Sequence, residues 1–394
     1  MNLPLDLAVA ATGATLLERS AAPATLRIST DTRTMQPGDA FLALHGERFD
    51  GHEYLAEAVR CGAALLILDR PQARVPGTPA MIVGETLRAY MTLAGAARSL
   101  FRGRVVAITG SAGKTTTKSF LADLLAARYR VHAAPGNENN EIGVSKLLLS
   151  ASNEAHDAIV VEMGARRFGD VAELVAIAAP EVGILTNIGE AHLEIMGSRE
   201  RLAETKWALF GRGARAVLNA GDAVSRERAR GLALAPHWFA ALAEDAPAKA
   251  EPGERITALL GERRLLDAAG GRAVECDVEV RLPGAHNRAN LAAALAGALE
   301  LDVPLDLLVP KIPDLRLPAG RYDEIALANG VRLIYDAYNA NASGTIAALD
   351  AFAVESAPRR IAVLAGMAEL GDESQALHER VGAHAATRVD VLLL

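Results

Sequence analysis

The chain has 394 residues, 51% of them hydrophobic and 23% charged, with a formal net charge of −7. That length implies two or three domains, the composition is that of a folded globular protein, and the acidic balance argues against a surface built for nucleic acid or an anionic membrane. Two cysteines, Cys61 and Cys276, without a C-x-x-C pair exclude a disulfide scaffold or thiolate zinc site, and the absence of a basic leader or an apolar run near 18 residues predicts no signal peptide and no membrane insertion, hence a cytoplasmic protein.

Residues 1–102 read as a small α/β unit. "GDAFLAL" and "AALLILD" are β-rich runs, and the helix-like "EYLAEAVRCG" between them ends at Gly62. From residue 103 strands alternate with helices: "RVVAIT", "KTTTKSFLADLLAARY", "AIVVEM", "FGDVAELVAIAA" and "VGILTNI". Nearly continuous apolar strands between helices predict a parallel sheet covered on both faces. "RLAETKWALF", "RAVLNA" and "NRANLAAALAGALE" continue it, with "ITALL" and "AVECDVEVRL" as edge or hairpin strands. A Pro-rich stretch at 302–320 marks a boundary, giving domains at 1–102, 103–315 and 316–394. The third opens with a hairpin turning at Asn329-Gly330, the usual two-residue signal, and continues helix, strand, helix, strand to Leu394. Its few strands predict a doubly wound unit that is incomplete.

The chemistry concentrates in "VVAITGSAGKTTTKSF". The full phosphate-loop pattern wants a glycine six positions before the lysine; here that position is Ile108, so the match is the shorter G-x-x-G-K-T. Gly110 and Gly113 let the backbone turn tightly around Ser111 and Ala112, and the helix opening at Lys114, Thr115 and Thr116 points its positive end at a phosphate. Lys114 can neutralise β/γ oxygens, and the Thr115 hydroxyl stands where Mg²⁺ would sit. The plain alternative, a glycine turn before a threonine-capped helix, explains less. Glu162 ends a buried strand and His192 follows another, on the edge where open α/β sheets bind ligands. A carboxylate and an imidazole converging on the nucleotide suit a second divalent ion; a solvated loop carboxylate and an ordinary loop histidine are the alternatives. Asn137, Asn139 and Asn140 make an amide-rich loop that wants a ligand or a heavily hydrogen-bonded turn.

Taken together, "ITGSAGKTTTK", "PGNENNEIGVSKLLL", "VVEMGA", "TNIGEAHLE", "GAHNRANLAAALA" and "YDAYNANASGTIAALDAF" resemble the Mur ligases, in the order typical of that family, over nearly the whole chain. "NENNEIG" and "YNAN" resemble the branch that adds D-alanyl-D-alanine to UDP-N-acetylmuramoyl-tripeptide. The resemblance implies an α/β, three-domain architecture with a central phosphate-loop parallel sheet and a C-terminal Rossmann-like domain. It implies a monomeric ATP- and Mg²⁺-dependent amide ligase of peptidoglycan synthesis, working through an acyl phosphate. Lys114, Glu162, His192 and Lys206 would be catalytic, with Thr115 and Glu162 holding one Mg²⁺ and His192 a second, supported by Lys206 as a carbamate. Residues 110–116 (Gly110, Ser111, Ala112, Gly113, Lys114, Thr115, Thr116), Asn287, Asn290, Arg321 and Asp336 would hold ATP. N-capping by Asn287, turn chemistry at Asn339 and Asn341 and a solvated helix at Lys206 are the plain alternatives. The UDP-sugar would meet Asp31, Thr32, Arg33, Gly46, Asp50 and His52, and the peptide would meet Asn137, Asn139, Asn140, Asn339 and Asn341.

The chain departs from that family at Ala342, where proline is usual, at Ala208, where an acid is common, and in stopping before a C-terminal Lys-Gly-Ser segment. Two other readings remain: a paralogue with another amino acceptor, and a nucleotide-binding protein without catalysis. Glu162, His192 and Lys206 argue against the second, and the N-terminal "DTR" and "FDGH" motifs against a folylpolyglutamate-type ligase.

Overall fold

A computed structural model describes residues 1–189, 193–233, 235–243, 254–269 and 272–394. The N-terminal part opens with a helix (α1, Leu5–Thr12) and builds a five-stranded sheet from β1 (Thr15–Leu17), β2 (Ile28–Ser29), β3 (Ala40–Leu42), β4 (Leu65–Leu68) and β5 (Ala80–Ile82). Its order is β1-β5-β4-β3-β2, parallel except for β1 against β5. The two predicted strands and the intervening helix (α2, Leu55–Arg60) form as read. Gly62 follows α2 at φ +89°, a conformation glycine adopts without strain.

A long helix, α3 (Thr86–Leu100), leads out of this sheet. Glu85 caps it by accepting from the amides of Leu87 and Arg88. Its apolar face, with Leu93, Ala94 and Ala97, packs on two helices of the next unit, so the first two sheets share one core. The bond from Arg98 Nε to the Ala178 carbonyl (2.8 Å) fixes the same junction.

The central sheet has nine strands: β6 (Arg104–Thr109), β7 (Val131–Ala133), β8 (Ala158–Glu162), β9 (Val182–Leu185), β10 (Arg215–Asn219), β11 (His237–Leu242), β12 (Arg255–Leu260), β13 (Arg264–Ala269) and β14 (Arg272–Asp277). The order is β7-β8-β6-β9-β10-β11-β12-β13-β14, parallel through β12 and antiparallel thereafter. One face carries α5 (Glu141–Ser150) and α6 (Asp170–Ala178), the other α4 (Lys114–Leu125) and α8 (Ala285–Glu300); α7 (Arg199–Trp207) precedes β10. From Leu291 to Leu299 α8 is apolar on every side and buried, in one cluster with Ile184, Phe120 and Leu121. Each such side chain contributes about 1.5–3 kcal/mol on burial. A Cβ added at Gly297 would lie 2.5 Å from Ile184 Cδ1, so the small residues of "ALAGALE" set the closeness of helix and sheet.

"ITALL" is a hairpin strand, as one of its two readings had it: β12 turns back antiparallel into β13, and β14, from "AVECDVEVRL", forms the edge. In the central sheet three strands, β7, β11 and β13, escape the pattern reading. β7 has three residues, too few to show a period, and the alanines before "HWFAAL" mask a strand start.

The C-terminal part has a hairpin, β15 (Asp323–Ala326) with β16 (Arg332–Tyr335), and a parallel pair, β17 (Ile361–Val363) with β18 (Val391–Leu393), joined through α9 (Ala342–Ala353) and α10 (Ser374–Ala385). The hairpin turn is one residue longer than the two-residue signal predicts. Leu327 N–H still donates to Val331 O, and Gly330 takes φ +82°, the arrangement of a type I turn closed by a left-handed glycine. Among the described residues no helix is long and apolar enough to cross a membrane.

Candidate active site

The carboxyl ends of β6, β8 and β9 meet at one point, and the short G-x-x-G-K-T loop lies there. Gly110 has φ +152° and Gly113 +81°. A Cβ at Gly110 would fall 1.9 Å from Thr186 Oγ1, and one at Gly113 2.2 Å from Asn290 Oδ1. Both glycines are therefore required by close approach as well as by backbone conformation. The loop is held by residues that pattern reading passed over. Thr186 Oγ1 donates to Ala112 O (2.6 Å), Asn187 Oδ1 accepts from Ala112 N (3.0 Å), and Ser111 N donates to Asn187 O (3.0 Å). Their signal was "TN" at the end of an apolar strand, next to the histidine that drew attention instead. His192 lies outside the described residues.

Two lysines converge on one carbonyl. Lys114 Nζ donates to Gly110 O at 2.9 Å and Lys206 Nζ to the same oxygen at 3.1 Å. Lys206 is 1% exposed, on the inner face of α7, which overturns the solvated-helix alternative. Burial, with the Lys114 charge beside it, drives its pKa well below the ordinary lysine value. Burial lowers that of Lys114 too, against the pull of Glu162 and with the Arg321 charge adding to the decrease. The Arg321 guanidinium stacks 4.4 Å from the Tyr338 ring centroid.

Glu162 ends β8 at 3% exposure, so it is no solvated loop carboxylate. Its Oε1 accepts from Thr115 Oγ1 (3.2 Å) and Asn139 Nδ2 (2.8 Å), while Oε2 has no hydrogen bond and lies 3.5 Å from Lys118 Nζ. Lys118 is the residue sequence reasoning missed. It stands one turn beyond Lys114, almost fully buried, and also donates to Ala134 O (2.9 Å) and Gly136 O. One ammonium thus ties the metal-type carboxylate to the loop carrying the three asparagines. Within that loop Asn139 serves Glu162, Asn140 caps α5 through Gly143 N (2.9 Å), and Asn137 is exposed. A shallow cleft opens beside it, lined by Asn139, Asn140, Gly164, Arg166, Arg167 and Glu173. The two arginines follow β8 directly and were not singled out in the sequence.

Asn287 and Asn290 are buried at 3% and 9%. Asn287 is not an N-cap: α8 starts at Ala285, and Asn287 Nδ2 donates back to Pro283 O at 2.9 Å. Asn341 does cap α9, accepting from Gly344 N at 2.8 Å, and Asn339 is exposed, so turn and cap chemistry occupies that pair. Asp336 follows β16; desolvation raises its pKa, opposed by a backbone bond from Tyr322 and by Arg321.

The N-terminal candidates form two clusters at the carboxyl edge of β2, β3 and β4. Arg33 pairs bidentately with Asp31 (2.8 and 2.7 Å) and holds its carboxyl at about 2, with Thr32 between them and the guanidinium in solvent. Gly46 is exposed on a small hairpin, His45–Gly46 against Phe49–Asp50. Asp50 caps His52, accepting from its N and Nδ1, and is paired with Arg70. His52 is buried, with Asp50 and Asp69 beside its ring.

Comparison with known proteins follows this geometry. Residues 27–93 match "Mur ligase family, catalytic domain", 108–298 "Mur ligase middle domain" and 320–394 "Mur ligase, glutamate ligase domain". The UDP-N-acetylmuramoyl-tripeptide--D-alanyl-D-alanine ligase of Synechocystis sp. is 37% identical over 360 residues, covering 90% of this chain and 76% of that one. The Escherichia coli enzyme of the same name is 35% identical over 359 residues, covering 90% and 77%. Among solved structures, MurF from Acinetobacter baumannii superposes with a TM-score of 0.84 at 28% identity, covering 100% of this chain and 90% of that one. The MurF ligase of Thermotoga maritima in complex with ADP gives 0.79 at 29% identity, covering 93% and 83%. With its three parts matched in order and its phosphate loop, converging lysine pair and strand-end glutamate in one place, the chain belongs to the Mur ligase family.

Proposed function

We propose that this protein is the ATP-dependent ligase that joins D-alanyl-D-alanine to UDP-N-acetylmuramoyl-tripeptide in peptidoglycan precursor synthesis. The observation that carries the reading is the cluster of Lys114 and Thr115 with the buried Lys206 and Glu162 around the phosphate loop, in a chain similar throughout to ligases of that name.

The substrate's terminal carboxylate attacks the γ-phosphorus of ATP, ADP leaves, and an acyl phosphate forms. The free amine of D-alanyl-D-alanine then attacks the acyl carbon, inorganic phosphate departs with the C–O bond electrons, and the amine sheds its proton. No enzyme nucleophile is needed; the protein positions the groups and neutralises charge. The loop amides and Lys114 receive the phosphates. Its Gly110 carbonyl contact is exchanged for a phosphate oxygen. Thr115 and Glu162 fit Mg²⁺, because the Glu162 Oε2 lone pairs are unsatisfied and the Thr115 hydroxyl is adjacent. Mg²⁺ there supplies charge neutralisation at the β/γ-phosphates. Asn290 against Gly113 suits the adenine side, and Arg321 and Asp336 reach the nucleotide from the third part of the chain. Burial and the Lys114 charge push Lys206 towards the neutral amine, the form of a lysine that adds carbon dioxide; the carbamate would set an opposite charge beside Lys114. Arg166 and Arg167 line the substrate cleft and suit its anionic groups. Domains at 1–102, 103–315 and 316–394 and a monomeric state belong to the same reading.

Phosphate release tests it. Release should require ATP, the UDP-linked tripeptide and D-alanyl-D-alanine together, and the UDP substrate alone should raise the melting temperature. Phosphate release indifferent to both acceptor and donor would overturn the assignment.

A further inference from the structure

α4 grips the Glu162 carboxylate from two positions. Thr115 and Lys118 are three residues apart, neighbours on one side of the helix. The Thr115 hydroxyl donates to Glu162 Oε1 at 3.2 Å, and Lys118 Nζ stands 3.5 Å from Oε2. Holding both oxygens from one helix fixes the plane of the carboxylate as well as its place.

The lysine does more than balance that charge. An ammonium has three N–H groups. Besides the carboxylate, those of Lys118 meet Ala134 O at 2.9 Å and Gly136 O. Both carbonyls belong to the segment 134–140 between β7 and α5, on either side of Pro135. The segment then closes back on Glu162: Asn139 Nδ2 donates to Oε1 at 2.8 Å, and Asn139 O accepts from Gly164 N at 2.8 Å, just beyond β8. Asn139, Asn140 and Gly164 form one wall of the cleft. Lys118 is 5% exposed and Glu162 3%, so water does not compete for these contacts. A lysine needed only to neutralise Glu162 would not commit two donors to the loop.

We propose that Lys118 is a positioning residue that couples the phosphate loop to the cleft wall, one ammonium being shared between Glu162 and the 134–140 segment. The inference rests on the nucleotide and Mg²⁺ reading of the phosphate loop given above. Carboxylate and carbonyls compete for the same three N–H groups. Positive charge bound at Glu162 takes up part of the carboxylate's charge and repels the ammonium. Lys118 then leans harder on Ala134 O and Gly136 O, and the segment carrying Asn139 and Asn140 loses freedom. Such linkage is reciprocal: a ligand that orders the segment tightens cation binding by the same factor, about 5–150-fold for couplings of ordinary size.

Hydrogen exchange read by mass spectrometry tests this on the full chain, with Mg²⁺ and a non-hydrolysable ATP analogue added. In the parent, exchange should slow both at the phosphate loop, 110–117, and at 136–140, the latter at least about fivefold. In Lys118→Met the phosphate loop should still be protected, and 136–140 should gain nothing. Protected amides in β6 and β9 identify the variant as folded, a readout that a merely structural role of Lys118 would move and the coupling would not. Lys118→Gln, neutral and still able to donate to a carbonyl, is the second variant and should likewise lose the effect at 136–140. Protection there that persists in either folded variant overturns the proposal, as does its absence in a parent whose phosphate loop is protected. A parent whose phosphate loop gains no protection overturns the nucleotide reading itself, and the inference with it.

Discussion

Replacing Lys118 by methionine removes one charge from the middle of the candidate active site while nearly preserving volume. In the parent its ammonium is 3.5 Å from Glu162 Oε2 and also serves two carbonyls. At an effective dielectric near 20, a 3.5 Å pair is worth about 5 kcal/mol. Breaking a buried pair by removing one partner costs about 3–5 kcal/mol, because the other charge stays buried. Glu162 can escape by taking up a proton, which at pH 7 costs about 3.7 kcal/mol for a carboxylate that titrates near 4.3 in the unfolded chain. The electrostatic loss is thus capped at ~3.7 kcal/mol at pH 7 and ~1 kcal/mol at pH 5. The sign follows: the variant's native state keeps a proton the unfolded chain has lost, so its stability falls as pH rises above about 4.3. Both tryptophans, Trp207 and Trp238, lie in the central unit, so their fluorescence during urea unfolding reports this part of the chain. The expected loss is about 4 kcal/mol at pH 7, about half that or less at pH 5, and largely recovered in Lys118→Met/Glu162→Gln. A loss under about 1 kcal/mol at pH 7, or an equal loss at both pH values, would refute the reasoning.

Lys114→Ala should reduce phosphate release about 10²–10³-fold and leave UDP-substrate stabilisation intact; equal loss of both would detach Lys114 from the nucleotide. Gly113→Ala should abolish the melting-temperature rise given by ATP, since the new methyl lands 2.2 Å from Asn290 Oδ1 at φ +81°. Lys206→Ala should lose turnover and regain part of it in acetate, whereas Lys206→Arg should be inactive without rescue; normal turnover in Lys206→Ala sinks the carbamate. The stacked pair His132 and His156, ring centroids 4.2 Å apart, sets an acid limit. Burial and the neighbouring ring lower His132 from 6.5 to about 4, so the unfolded chain protonates first and stability is lost as pH falls from about 6.5 towards 4. His132→Asn should flatten the melting-temperature profile across that window.

The sequence by itself determined the strand-loop-helix of the phosphate site, the alternation that makes a covered parallel sheet, and the position of Glu162 at a strand end. Those follow from local rules: a glycine pair, a lysine, and apolar runs of the right length carry their meaning in a few neighbouring residues. It could not tell Lys206 from a surface lysine, since the period of "AETKWALF" does not say that its lysine face turns towards Gly110, 96 residues away. Lys118 was hidden likewise, as the next polar residue of a helix, until β8 and the 134–136 loop closed over it. Capping, the plain alternative for Asn287, fell away only once the helix began two residues before it. Burial and pairing across long sequence separation are set by packing, and packing is where a lysine becomes a buried counter-charge.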